Sequence, residues 1–160
     1  MPYELKVEGI EAVSDMLTRL GAAAEGAAAL GLYDGAGIVA DQLKRSAGAI
    51  QTAPFHYVTN GTRLPSPEEK AIVLAADAGI AKFDKNGSEV NTSVGYRNAG
   101  YTVLGKKVKP IPVIVNAINS GTSFMKKQPF VRKAARASKA PASAAMKKKI
   151  EERFKEAIKG

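Results

Sequence analysis

Apolar residues along this chain fall mostly at helical spacing. Ile10, Val13, Leu17 and Leu20 recur three, four and three residues apart, which predicts a first helix that Gly21 can close. Ala22 to Gly31 is rich in Ala and Gly and carries no bulky anchor before Leu30. From Leu32 the stripe Ala36, Val39, Leu43, Ala47 and Ile50 predicts a long amphipathic helix, with Asp34, Asp41, Lys44 and Arg45 on its other face. Gly35 and Gly37 weaken that helix by about 1 kcal/mol each relative to Ala. In exchange they would permit close approach of a sheet or another subunit, and Gly31-x-x-x-Gly35 has helix-packing spacing.

Strand patterning is weaker. Tyr3 to Val7 alternates apolar and charged residues and reads as a short strand ended by Gly9. Ala53 to Pro65 reads as a loop, with one short strand at Phe55 to Val58. Ser66-Pro67-Glu68-Glu69 is a helix start: Ser66 caps, Pro67 takes the first position and Glu69 completes a capping box. That helix is predicted to reach Ala78 and stop at Gly79. Ile80 to Phe83 and Ser88 to Tyr96 then read as a hairpin turning at Asn86-Gly87, with Val90, Thr92, Val94 and Tyr96 on one face. Between Asn98 and Lys109 only Tyr101 to Leu104 suggests a strand.

The stretch from Asn116 to Ala135 organises the C-terminal half. A short apolar helix, Val113 to Ile118, begins after Pro110 and Pro112 and ends at Gly121, whose positive φ would stop it. Thr122 and Ser123 can bond back to freed backbone groups. Pro129 suits the first turn of a following helix, in which Phe130, Ala134 and Ala137 share a face and Phe130 plugs into a core. Ser138 to Ala145, with Pro141, reads as a hinge. A last helix over residues 142–159 has the apolar stripe Met146, Ile150, Phe154 and Ala157, and the spacing predicts that this stripe packs on protein, a neighbouring subunit or partner.

Charge changes this picture. Residues 126–160 hold 12 of the 24 basic groups and 3 of the 15 acidic groups, so the whole net charge of +9 lies there and residues 1–125 balance. The basic contact surface is Lys126, Lys127, Arg132, Lys133, Arg136, Lys147, Lys148, Lys149 and Arg153. Such an arm fits nucleic acid, an acidic protein or a membrane surface, or is simply a solvated face. Apolar content of 45% is enough for a real core in a chain of 160 residues. With no Cys there is neither a disulfide framework nor a thiolate metal site, which is compatible with a reducing compartment. The charged N-terminus does not read as a signal peptide, and no apolar run has the length of a membrane span.

Convergent chemistry is not apparent. The single histidine, His56, has no orienting carboxylate nearby in sequence and reads as an ordinary packing or surface residue. Glu68 and Glu69 sit in capping positions, and Glu151 and Glu152 lie among lysines. No phosphate-cradling loop follows a strand. Tyr96, Arg97 and Tyr101 could form a base-stacking platform, although a Tyr on an alternating strand is more often packing. The expectation is a protein without catalytic residues, metal or cofactor.

Ile118-Asn119-Ser120-Gly121-Thr122-Ser123, followed by Lys127-Gln128-Pro129-Phe130-Val131-Arg132 and Ala134-Ala135, resembles the gene-product-ten-like family of tailed-phage head–tail connector and tail-completion proteins. The likeness covers roughly residues 116–139. It is weaker at Gly9 to Leu20 and at Lys44-Arg45-Ser46-Ala47. Where many members carry Asp-Thr-Gly-Arg-Leu, this chain has Asn60-Gly61-Thr62-Arg63-Leu64. The resemblance implies an α+β fold, a long helix on a small antiparallel sheet, in a connector-type domain over 1–139; charge and periodicity add a basic amphipathic helical arm over 140–160. It marks Gly121, Thr122, Ser123, Gln128, Pro129, Phe130 and Arg132 as the motif turn and helix start. It implies a virion structural role at the neck or tail top, after assembly in the host cytoplasm. The expected partners are further copies in a ring of about six or twelve and neighbouring head-closure and tail-terminator proteins. DNA in the channel would be met non-specifically, and a membrane not at all. The alternative is a nucleic-acid-binding accessory protein that uses the basic arm, and a third idea is a membrane-surface helix at 142–159.

Overall fold

The structure, a computed structural model, describes residues 10–54, 58–82, 84–86 and 89–160. The expected strand at Tyr3 to Val7 lies outside the described residues, as do His56 and most of the strand expected at Phe55 to Val58. Two long helices, α1 (Ile10–Gly48) and α4 (Phe130–Lys159), pack along one another in the most extensive pairing of elements. Between them the chain forms β1 (Val58–Thr59), β2 (Thr62–Arg63), α2 (Pro67–Ala75), β3 (Gly79–Ile80), β4 (Asp84–Asn86), β5 (Glu89–Asn91), β6 (Val94–Gly95), β7 (Tyr101–Leu104), β8 (Lys107–Pro110) and α3 (Ile111–Ser120). The fold is α+β: a long helix against small antiparallel sheets, with a C-terminal helix.

The two helices predicted before Gln51 are one. Gly21 does not close the first; α1 continues through it and through the Ala-rich segment to Gly48. Alanine has the highest helix propensity, and the glycines that interrupt it are tolerated where close packing compensates. Gly31 and Gly35 lie against α4, where a Cβ on Gly35 would stand 2.3 Å from Met146 Cε and one on Gly31 would stand 3.1 Å from the Met146 carbonyl oxygen. The expected close approach at Gly35 is therefore made by this chain's own α4, and Gly37 has open space beside it.

The hinge and separate last helix are also corrected. α4 runs unbroken through Pro141. A proline inside a helix leaves the carbonyl four residues earlier without its donor. Here both Pro141 and Ala137 are exposed, so water can serve that carbonyl, while the neighbouring Ser138 and Ala142 are buried. Ala137, expected beside Phe130 and Ala134, thus faces out. The buried positions step by four: Phe130, Ala134, Ser138, Ala142.

Among the described residues the strands form four separate two-stranded antiparallel ribbons: β1–β2, β3–β6, β4–β5 and β7–β8. Asn60 and Gly61 both have positive φ, 54° and 76°, the geometry of the tightest hairpin turn, and they join β1 to β2 where only loop and one strand were expected. The predicted hairpin over 80–96 is present as β3–β6 and β4–β5, but Asp84-Lys85-Asn86 is strand rather than turn. α2 stops at Ala75, three residues short of Ala78, because Ala76 turns extended at ψ 122° and leads into the β3 pairing of Gly79 with Gly95. β7 and β8 pair across Gly105, φ 64°, which places the segment that the pattern left open.

The core joins Leu43, Ala47 and Ile50 of α1, Val73 of α2, Ile111, Ile114, Val115 and Ile118 of α3, Tyr96, Met125, Phe130 and Ala134.

Candidate functional site

The motif stretch forms a clasp. Gly121 ends α3 with φ 76°, and its N–H donates to the Ala117 carbonyl at 2.9 Å. The Thr122 hydroxyl oxygen accepts from the N–H of Phe124 at 3.2 Å and of Met125 at 3.0 Å, closing the tight loop. Met125 is buried, and its segment lies parallel to β2: the Arg63 N–H donates to the Phe124 carbonyl at 2.7 Å and the Lys126 N–H to the Arg63 carbonyl at 2.9 Å. Gln128 reaches the end of α1, accepting from the Gln51 N–H and donating to the Gln51 carbonyl, both at 2.8 Å. Asn119 Oδ1 accepts from the Val131 N–H at 3.1 Å, satisfying one of the free donors at the start of α4. Pro129 sits one position earlier than expected, as the N-cap of α4. Phe130 is 3% exposed and its ring lies 6.3 Å from that of Tyr96, tilted by 59°. So Gly121, Thr122, Gln128, Pro129 and Phe130 are brought together as architecture, while Ser123 and Arg132 are exposed beside them.

Under the clasp lies a buried ion pair. Arg63 donates from both terminal nitrogens to the two Glu69 carboxylate oxygens, each at 2.7 Å, and also to the Leu64 carbonyl at 3.1 Å. Glu69 completes the capping box as predicted: its N–H donates to Ser66 Oγ at 3.1 Å and its carboxylate accepts from the Ser66 N–H at 2.8 Å. Burial pushes the Glu69 carboxyl up. The Arg63 hydrogen bonds, the Ser66 N–H and the charges of Arg63 and Lys109 outweigh it, so the group is held below the ordinary glutamate value. The same pairing raises the Arg63 guanidinium further above its ordinary value, against the pull of desolvation. Arg63 and Asn119 lie in the segments compared with the family but with no role attached, and no sequence signal pointed to Gln51; their partners lie far along the chain or in another element.

The C-terminal stripe does pack on protein, but that protein is α1. Met146 and Ile150 seat on Gly35 and Gly31, and Phe154 and Ala157, further along the stripe, are half-buried. Lys149 reaches Asp34 at 4.0 Å and Arg153 pairs with Glu156 at 3.0 Å. Lys126, Lys127, Arg132, Lys133, Arg136, Lys147 and Lys148 are exposed and make no ion pair among the described residues.

Tyr96 is a core residue, not half of a stacking platform, and burial followed by the Asp77 charge pushes its hydroxyl up. Tyr101 is exposed. On the β7–β8 ribbon it lines up with Val103 and its partner Val108, at 75%, 61% and 69% exposure, while Thr102 and Leu104 on the other face are half-buried against the body. Among the described residues no three His, Cys, Asp or Glu side chains gather as metal ligands, and no helix is long and apolar enough to cross a membrane. A groove of about 580 Å³ is lined by Asp77, Ser93, Tyr96, Arg97 and Asn98. Compared with known protein families, curated proteins and solved structures, the chain matches none.

Proposed function

We propose that this chain is a structural protein of a tailed bacteriophage or prophage virion, forming a ring at the head–tail junction or tail top and taking part in tail completion. The resemblance over residues 116–139 suggests the role, and the bare apolar face of the β7–β8 ribbon is the observation that carries it. Tyr101, Val103 and Val108 stand side by side and exposed, although the ribbon's other face is seated on the body. Contiguous apolar patches on soluble proteins mark interaction sites. A two-stranded ribbon is marginal alone in water, so a partner against that face would also stabilise it. The partner is a further copy of the chain, with adjacent head-closure and tail-terminator proteins above and below.

Light scattering of the wild-type chain and of Tyr101→Ser/Val103→Ser/Val108→Ser tests the assignment, alone and on DNA-filled heads. The reading predicts a closed oligomer that the triple variant loses while its circular dichroism spectrum remains that of the folded chain. A wild-type chain that stays monomeric in both settings, yet binds duplex DNA with a steep salt dependence, supports the accessory-protein alternative instead.

A further inference from the structure

The exposed ridge of α4 is a charge feature that the fold leaves uncompensated among the described residues. Between Lys126 and Lys149 the chain has no Asp or Glu. Arg132, Arg136, Lys139 and Lys147 are exposed at steps of four, three and eight, with exposed Ser143 filling the intermediate turn, so they form one line along the helix. This line lies opposite the buried row Ala134, Ser138, Ala142. None of its cations is ion-paired among the described residues. Between Lys139 and Lys147 the outward residues are small: Ala140, Ser143 and Ala144.

We infer that this ridge is a sequence-independent binding surface for the phosphate backbone of duplex nucleic acid. From Arg132 to Lys147 the helix rises about 22 Å, the length of roughly six base steps along one strand. A straight row of cations over that length matches a row of phosphates, and the small residues in its middle let the backbone come close. Two other polyanions fit less well. A membrane-surface helix needs an apolar face free to enter the lipid boundary, and the apolar face of α4 is covered by α1. An acidic protein would be held by buried aromatic or aliphatic anchors, and the ridge presents none. The row consists of cations and one short Ser hydroxyl and carries no Asn or Gln, so its contacts go mainly to phosphates, which position the protein without selecting sequence. The inference does not depend on the virion reading: it concerns a face of α4, whereas that reading concerns the β7–β8 ribbon.

Fluorescence anisotropy with a labelled 30-base-pair duplex, on the order of 50–200 mM salt, tests it. Two charge-matched variants are compared: Arg132→Gln/Arg136→Gln/Lys139→Gln on the ridge, and Lys106→Gln/Lys107→Gln/Lys109→Gln on the ribbon. All six side chains are exposed, and circular dichroism checks that both variants fold. The ridge variant is expected to lower the slope of log affinity against log salt by about 3, one unit for each phosphate contact removed. The ribbon variant should leave the slope within one unit of wild type. Equal loss in both variants, which would make binding a matter of net charge, overturns the inference. So does absence of wild-type binding at the lowest salt, or equally tight binding to anionic phosphatidylserine vesicles or to polyglutamate. Oligomeric state is read separately by light scattering, so failure here leaves the ring reading standing, and the reverse also holds.

Discussion

Replacing Gly35 by Ala isolates the contact that joins the two long helices. A methyl group at Gly35 would lie 2.3 Å from Met146 Cε and 2.7 Å from Met146 Cγ, closer than real side chains come, so Met146 must move. A methyl group at Gly37, two residues further on the same helix, meets nothing within 4 Å. Both changes carry the same propensity gain of about 1 kcal/mol. Their difference therefore reports packing alone. Forcing extra volume into a packed interface costs about 1–3 kcal/mol, and the flexible thioether of Met146 argues for the lower half of that range. Gly37→Ala should raise stability by up to about 1 kcal/mol, and Gly35→Ala should fall about 1–2 kcal/mol below it, a gap of roughly 2–8 °C in melting temperature for a chain of this size. Thermal melts by circular dichroism, with urea titrations for the free energies, measure this. Combining Gly35→Ala with Met146→Ala should recover part of the loss, giving a coupling energy in the double-mutant cycle. Equal stabilisation by both single changes, or strict additivity in the cycle, would refute the packing of α4 on α1 at this position.

Phe130→Ala should cost about 3–5 kcal/mol in urea unfolding, since the ring is buried against Tyr96 in the centre of the core. Gly121→Val should lower the melting temperature strongly: φ is 76°, and a Cβ would stand 3.1 Å from both the Lys127 amide nitrogen and the Met125 carbonyl oxygen. Glu69, held below its ordinary value, contributes stability that is complete above the ordinary glutamate range and is lost as pH falls through that range toward the folded value. Acid titrations of stability should therefore show a shallower fall for Glu69→Gln than for wild type, from a lower plateau at neutral pH. A variant with the wild-type slope would contradict the ion pair.

Local signals were the legible part of this fold. The Ser66 capping box, the positive φ of Gly121 and the burial of Phe130 each depend on residues within a few positions of one another. Their outcome matches the pattern. Helix ends that depend on packing were not legible. Gly21 and Pro141 both carry stop signals, and both lie inside helices; around Pro141 the buried residues Ser138 and Ala142 hold α4 in the packing that its own sequence interrupts. The pairing of α1 with α4 turned an expected intersubunit stripe, Met146 and Ile150, into an intrachain contact. Long-range bonds left no trace in the pattern. Gln128 holds the backbone of Gln51, 77 residues earlier. Arg63 is only six residues from Glu69, but the capping box already explained that carboxylate, so the pair was hidden as well. The clasp motif was recognised as a unit, but what it ties together could be read only from the fold.

The central claim is a structural role at the head–tail junction. It is tested most directly by electron microscopy of phage particles assembled with and without the gene for this chain. The account predicts that, without it, DNA-filled heads and finished tails accumulate unjoined, and that adding the purified chain restores joined particles with the chain at the neck. Intact, infectious virions assembled in its absence would contradict it.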